Sequence, residues 1–395
     1  MSDYRTRNQL LLAAIETTAG TEATPTPGAN AIRVRQDARF SPNLEQLDTD
    51  YVQNSMTQSA PIAGGGDAGM SLSAFLNCPA TPGTNAPDLG PLLRACGLSQ
   101  TQLAADVSGV TPSAGTTTTV PLAVAASGTT DAYRFMVIEM TSGTAANIGQ
   151  RRAIVSYNGG TRTATLNAAL PATVASGDGY AVRACTLYRP VDAAFEAVTA
   201  WHYVHHQNGT QSKRRRIKGA MSGLRLAINP RALANVEFAL SGQLVAAPDD
   251  VSTPTGVAYQ SGDPQPFINA MAYLGAAPVK FSSFSFDLGT EIEKFDNPAE
   301  AFGYDPAAPT NRRASGRIVP NLVLNSSRDA FADWLAATDR SIWLDWGVAG
   351  RRVSLFLPQN RNINVQDEAV RGYVGQAIDF RSTPAAAEFG LCFHV

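Results

Sequence analysis

The stretch Ala31-Ile32-Arg33-Val34-Arg35-Gln36-Asp37-Ala38-Arg39-Phe40 alternates with a period of two residues. Ile32, Val34, Gln36, Ala38 and Phe40 fall on one side and Arg33, Arg35, Asp37 and Arg39 on the other, the pattern of a half-buried strand. The spacing predicts a long loop over residues 41–67 and then a second strand with Met70, Leu72, Ala74 and Leu76 on one face. Leu89, Leu92, Leu93 and Cys96 next recur at helical spacing, with Asp88 in the N-cap position and Gly97 as the stop.

The same order begins again near Pro278. Val279, Phe281 and Phe286 lie in a predicted strand, residues 287–313 in a loop and residues 317–325 in the next strand, after which Phe331, Trp334, Leu335 and Thr338 repeat the helical stripe. The first strands lie 247 residues apart and the helices 242. Ile217-Lys218-Gly219 and Val370-Arg371-Gly372 lie only 153 apart, and Glu237-Phe238 and Glu388-Phe389 only 151. The shortfall puts extra residues in the first copy, between its helix and its late strands. The expectation is an internal duplication interrupted once.

That interruption coincides with a shift in composition. Residues 107–130 carry no charged residue and are followed by short alternating strands at 133–140, 153–157, 161–167 and 180–184. Asn158-Gly159-Gly160 is a hairpin turn signal, because these residues tolerate positive φ. The domain reading is therefore an N-terminal arm (1–30, with a short helical pattern at 8–16), a first module (31–106 and 185–245), an outward-facing all-β insert (107–184), a Pro/Asp/Thr/Gly linker (246–264) and a second module (265–395). Strands are expected at 196–206, 217–228, 235–245 and 388–395, with a loop at 207–216.

A charged content of 16% beside 44% hydrophobic residues fits a well-buried globular chain, and a net charge of −2 argues against a dedicated nucleic-acid binder. Thirty-three glycines and 24 prolines favour a β-rich fold with many turns. No apolar run reaches the roughly 18–20 residues of a membrane span, and the start lacks the form of a signal peptide. Cys78, Cys96, Cys185 and Cys392 form no CxxC pair and read as free thiols in a reducing compartment.

Candidate chemistry is sparse. His202, His205 and His206 resemble ligands in kind, yet in a strand His202 and His206 stand roughly 13 Å apart with His205 on the opposite face, too far to share one zinc ion. No phosphate loop, GxSxG elbow or HExxH occurs, and Gly64-Gly65-Gly66 reads as a flexible loop tip. The reading is no catalytic residue, no metal and no cofactor.

Charge patterning says more. Glu45, Asp48, Asp50 and Asp67 sit in a loop without Lys or Arg, and Glu291, Glu293, Asp296 and Glu300 sit in its counterpart with one Lys294. Lys213, Arg214, Arg215 and Arg216 form a basic hairpin tip. Two readings stand: solvated loops, or inter-ring contacts in which acidic loops of one subunit meet basic tips of another.

Together these features resemble the major tail tube protein of long-tailed, siphovirus-like bacteriophages. The resemblance rests on Leu10-Leu11-Leu12-Ala13-Ala14-Ile15-Glu16-Thr17-Thr18-Ala19-Gly20-Thr21, on Asp88-Leu89-Gly90-Pro91-Leu92-Leu93-Arg94-Ala95-Cys96-Gly97-Leu98 and on Lys218-Gly219-Ala220. It covers the modules and not the insert. It implies a mainly β fold with short flanking helices, in which Leu89, Leu92 and Leu93, and Phe331, Trp334 and Leu335, mark the helices of two tandem β-sandwich or barrel modules. It further implies a structural virion protein of the tail, assembled in the host bacterial cytoplasm and polymerised into stacked rings around a channel for DNA.

Two modules per chain predict trimers with pseudo-sixfold symmetry. The implied partners are other copies of the chain, a tape measure protein in the lumen, terminator and distal tail proteins at the ends, and DNA in transit; no membrane is implied. A terminating tail-tip ring or capsid-associated protein is the alternative. A carbohydrate-binding β protein is a third, for which Tyr133, Phe135, Tyr157 and Tyr180 of the insert fit core positions better than a binding face.

Overall fold

A computed structural model describes residues 3–57, 59–383 and 388–395. The chain opens with β1 (Tyr4–Ile15), β2 (Ala31–Ile32), β3 (Arg39–Leu47), β4 (Ile62–Phe75), helix α1 (Gly90–Ala95) and β5 (Leu98–Leu103). A middle group follows: β6 (Val107–Val110), β7 (Thr119–Pro121), β8 (Val137–Ser142), β9 (Arg151–Asn158), β10 (Thr163–Leu166) and β11 (Gly179–Val182). Next come β12 (Cys185–Pro190), β13 (Val198–His206), β14 (Gln211–Ile228), β15 (Asn235–Leu244) and β16 (Asp249–Ser252). The rest comprises β17 (Met271–Leu274), β18 (Ala277–Pro278), β19 (Phe281–Asp287), β20 (Thr290–Glu293), β21 (Ala308–Arg312) and β22 (Ser315–Pro320). Helix α2 (Ala330–Leu335), β23 (Asp339–Val348), β24 (Arg351–Val370), β25 (Tyr373–Ser382) and β26 (Gly390–His394) complete it. With 51% strand and 3% helix, the fold is mainly β.

The large sheet contains two antiparallel runs with the same order of connection. One reads β3–β4–β15–β14–β13–β1–β2. The other reads β19–β22–β25–β24–β23–β17–β18. In each, a helix lies in the chain between the second strand and the fifth. The runs meet where the end of β14 pairs with β19, from Arg225 opposite Asp287 to Ile228 opposite Phe284. A second junction runs β5–β12–β26–β24.

Inward side chains of both runs make one core, including Leu92, Leu93, Phe238, Phe284, Phe286, Trp346 and Phe380. The middle group forms its own six-stranded sheet, β6–β11–β8–β9–β10–β7. Its core also takes in Trp343, Phe356 and Cys392 from the later strands, and the rings of Phe135 and Phe356 meet edge-on at 5.6 Å. Tyr133, Phe135, Tyr157 and Tyr180 are all buried.

Several expectations need correction. Residues 8–16 are not helical but belong to β1. Leu11 and Ala13 point into the main core while Leu10 and Leu12 enter a second cluster with Ala31 and Tyr203, and a strand buried on both faces has the continuous apolar run that periodicity cannot tell from a helix. Only Ala31, Ile32 and the residues from Arg39 onward are strand in the opening stretch. A turn at Asp37, whose carboxylate accepts from the Ser73 hydroxyl at 2.5 Å, breaks the ladder, although Ile32 and Ala38 stay buried and the arginines exposed.

The expected loop 41–67 is largely the hairpin of β3 and β4, and 287–313 contains the β20–β21 hairpin. Gly64-Gly65-Gly66 lies inside β4 rather than at a flexible tip. The Gly66 amide donates to Phe302 O at 3.0 Å, and a Cβ there would stand 2.5 Å from Leu44 Cδ2, so close approach and not looseness requires glycine.

The late landmarks of the repeat also move. Residues 217–219 lie within β14, whereas 370–372 form the turn between β24 and β25. The strand that pairs as β15 does is β25, not the terminal β26.

Candidate assembly surfaces

The eight consecutive strands β3–β4–β15–β14–β19–β22–β25–β24 have unequal ends and middle. In the middle, β14 continues past the last residue bonded to β13, Ala220, and offers Arg225–Ile228 to β19. At one end, β24 likewise continues past Arg361, the last residue bonded to β23, but among the described residues its remainder pairs with β25 alone. At the other end, among the described residues, β3 pairs with β4 alone. Unpaired backbone N–H and C=O groups along such edges are templates for another strand.

The two helices differ in burial. In α1, Leu92 and Leu93 are 0% exposed, packed between β1, β5, β13 and β14. Asp88 is not its N-cap: Leu89 takes that position without a side-chain bond, and burial pushes the Asp88 carboxyl up. Gly97 follows the helix at φ +78°. Helix α2 is capped by Asp329, which accepts from the Ala332 amide at 2.8 Å. Its apolar stripe, however, faces outward: Phe331 is 52% and Leu335 75% exposed. Leu322, Val323, Leu324, Tyr373 and Val374 are exposed too, and the Leu322 amide donates to Val374 O at 3.0 Å. The sequence places Leu322, Val323 and Leu324 in a strand over 317–325, whereas the strand ends at Pro320 and these three residues lie exposed after it.

The acidic residues divide into engaged and free. Glu45 accepts from Tyr304 Oη at 2.5 Å, and Asp67 pairs with Lys294. Glu291 faces Arg313 at 3.8 Å and Glu300 faces Lys218 at 3.8 Å. Asp48, Asp50, Glu293 and Asp296 are exposed and in no ion pair among the described residues.

Lys213–Arg216 lie within β14, past the turn, not at its tip. Lys213 pairs with Asp250 at 2.7 Å, Arg214 with Asp249 at 2.6 Å and Arg216 with Glu22 at 3.2 Å. Arg215 is in no ion pair among the described residues.

The histidines go separate ways: His202 Nε2 meets Gln9 Oε1 at 3.0 Å and His205 Nδ1 meets Ser212 Oγ at 2.7 Å. Burial, with Arg215 adding to it, pushes the His202 pKa down to about 4. All four cysteines are free and buried, and burial raises Cys78 and Cys96 to about 12, which removes the thiolate that nucleophilic chemistry needs. No helix among the described residues is long and apolar enough to cross a membrane.

The features that dominate are sheet edges and apolar faces, those of a mainly β structural protein. A family model described as phage tail tube protein matches residues 6–382. The chain belongs to that family and is a structural component of the virion tail. No curated protein matches it.

Proposed function

We propose that the chain is a tube subunit with two tandem modules, each represented by one of the two equally ordered strand runs, and that copies join edge to edge into rings that stack as the conduit for DNA. The observation that carries this reading is the β14–β19 pairing. A strand end and a first strand are joined there within the chain, and the same two kinds of edge stay open at β24 and β3. Pairing β24 of one copy with β3 of the next repeats that junction between molecules. A heterologous contact of this kind closes when its rotation divides a full turn, and three copies supply six runs, hence pseudo-sixfold symmetry.

The sheet face opposite the helices suits a channel wall. It carries Ser71, Ser73, Ala239, Ser241, Gly223 and Ser285, and two of its arginines are held by carboxylates, Arg225 by Asp287 at 2.7 Å and Arg317 by Glu368 at 2.8 Å, while Arg39 is in no ion pair among the described residues. Phosphate binding grows with each available cation, so pairing Arg225 and Arg317 with carboxylates weakens the hold on a passing duplex. A tape measure protein would fill this lumen before ejection, and terminator and distal proteins would cap the ends.

Electron microscopy of the purified protein at high concentration tests the reading. Stacked rings with threefold symmetry are expected. Dispersed monomers overturn it, and single rings that never stack replace the tube with a terminating ring.

A further inference from the structure

We infer that Lys294 and Asp67 condense with each other, so that an amide bond between Lys294 Nζ and Asp67 Cγ staples the second run of strands to the first. The inference is independent of ring formation, because both residues belong to one chain.

Placement comes first. Asp67 lies in β4, opposite Asn43 of β3 and Gln243 of β15. Lys294 directly follows β20, in the connection between β20 and β21. Three bonds hold that connection against β3, β4 and β15. The Gly66 amide donates to Phe302 O at 3.0 Å, Gln243 Nε2 to Tyr304 O at 2.6 Å and Tyr304 Oη to Glu45 Oε1 at 2.5 Å. Lys294 Nζ is thereby set against Asp67 Oδ2. Groups held in this way react as if present at about 10⁵–10⁸ M, so a condensation that fails between free groups in water runs forward here.

The chemistry of the pair sets it apart. Of Lys213, Lys218, Lys280 and Lys294, only Lys294 meets a carboxylate with both side chains largely withdrawn from water, 14% and 20% exposed. Lys213 and Lys218 face the more exposed Asp250 and Glu300. Asp67 is in no other ion pair among the described residues, so no second cation fixes its charge. Burial pushes the Lys294 pKa down, which favours the neutral amine. The proton passes from ammonium to carboxylate and leaves an amine facing a carboxylic acid, a step closed to the permanently charged arginines.

The Nζ lone pair then attacks Cγ. The C–N bond forms, the Cγ–OH bond breaks, and the hydroxyl departs with a proton from nitrogen as one water. Nothing is oxidised or reduced, and no co-reactant enters. The product links residues 227 positions apart and joins the two runs by a covalent bond in addition to their β14–β19 ladder.

Intact-mass measurement of the denatured full-length chain, followed by trypsin digestion, tests this. The wild type is expected to fall one water short of the mass its sequence requires. Trypsin should yield a branched peptide joining residues 40–94 to residues 281–312, segments bounded by Arg39, Arg94, Lys280 and Arg312, with no cut at Lys294. Lys294→Arg keeps the ion pair without the nucleophile, and Asp67→Ala removes the electrophile; both should have their full masses and lack the branched peptide. A wild-type chain of full mass that releases residues 281–294 as a free peptide overturns the inference, whether or not either variant folds. Water loss that persists in Lys294→Arg, or that comes without the branched peptide, overturns it too.

Discussion

Arg151 Nε donates to Asp345 Oδ2 at 2.8 Å, and this buried ion pair ties the middle sheet to β23. Asp345 Oδ1 is bonded in turn to His394 Nε2 at 2.9 Å, so β26 shares the same anchor. The middle group is thus bound to the later strands by charge as well as by the Phe135–Phe356 contact.

Breaking this pair should cost far more than a surface one. Asp345→Asn leaves Arg151 buried without its counter-charge, and a loss of about 3–5 kcal/mol is expected, read as a lowered denaturation midpoint. Burial raises the Asp345 pKa, but His394 and then Arg151 outweigh it and the net shift is downward. A depressed carboxylate stabilises the fold above its unfolded value near 4 and loses that contribution as pH falls through the folded value. Acid titration of the wild type should show this loss below pH 4, and Asp345→Asn should lack it.

His202 gives a second, separate pH window. Its folded pKa of about 4 lies below the ordinary 6.5, so the neutral ring stabilises above pH 6.5 and the contribution is lost as pH falls from 6.5 toward 4. The total is about 3 kcal/mol. The structural cause is local: Nε2 is occupied by Gln9, and Nδ1 is buried with no partner to receive its proton. Denaturant midpoints at pH 7 and 4.5 should converge in His202→Gln.

Gly390 allows Phe135 to approach β26; a Cβ there would stand 2.8 Å from the Phe135 Cβ. Gly390→Val should displace the middle group, costing about 1–3 kcal/mol. Faster proteolysis within residues 107–182 and unchanged protection of α1 would record it.

The helices should respond unequally to the same truncation. Leu92→Ala empties a sealed site and should cost about 2–5 kcal/mol. Leu335→Ala, on the exposed face, should change monomer stability by less than about 0.5 kcal/mol. Thermal melts of the two variants, at concentrations where no assembly forms, compare them directly.

Inward alternation at Met70, Leu72, Ala74 and Leu76 was readable because it follows from local periodicity. The N-terminal strand was not, since Leu10–Ala13 is buried on both faces by partners far away in the chain. Nor was the outer part of the β3–β4 hairpin, Ser41 to Asp67, whose polar, glycine-rich strands carry little alternation; their ladder and the loop around Phe302 hold them. Acidic and basic residues were legible as types, but their partners were not: Lys213, Arg214 and Arg216 meet Asp250, Asp249 and Glu22 only after folding.

By itself the sequence determined a mainly β chain, its apolar positions and the resemblance to tail tube proteins, because composition and short-range spacing carry that information. Tertiary structure alone decided which edges are closed and which of two similar helices is covered. Those outcomes depend on pairings between residues far apart in the chain, such as Arg225 opposite Asp287 and Phe238 opposite Leu72, and no local pattern encodes them.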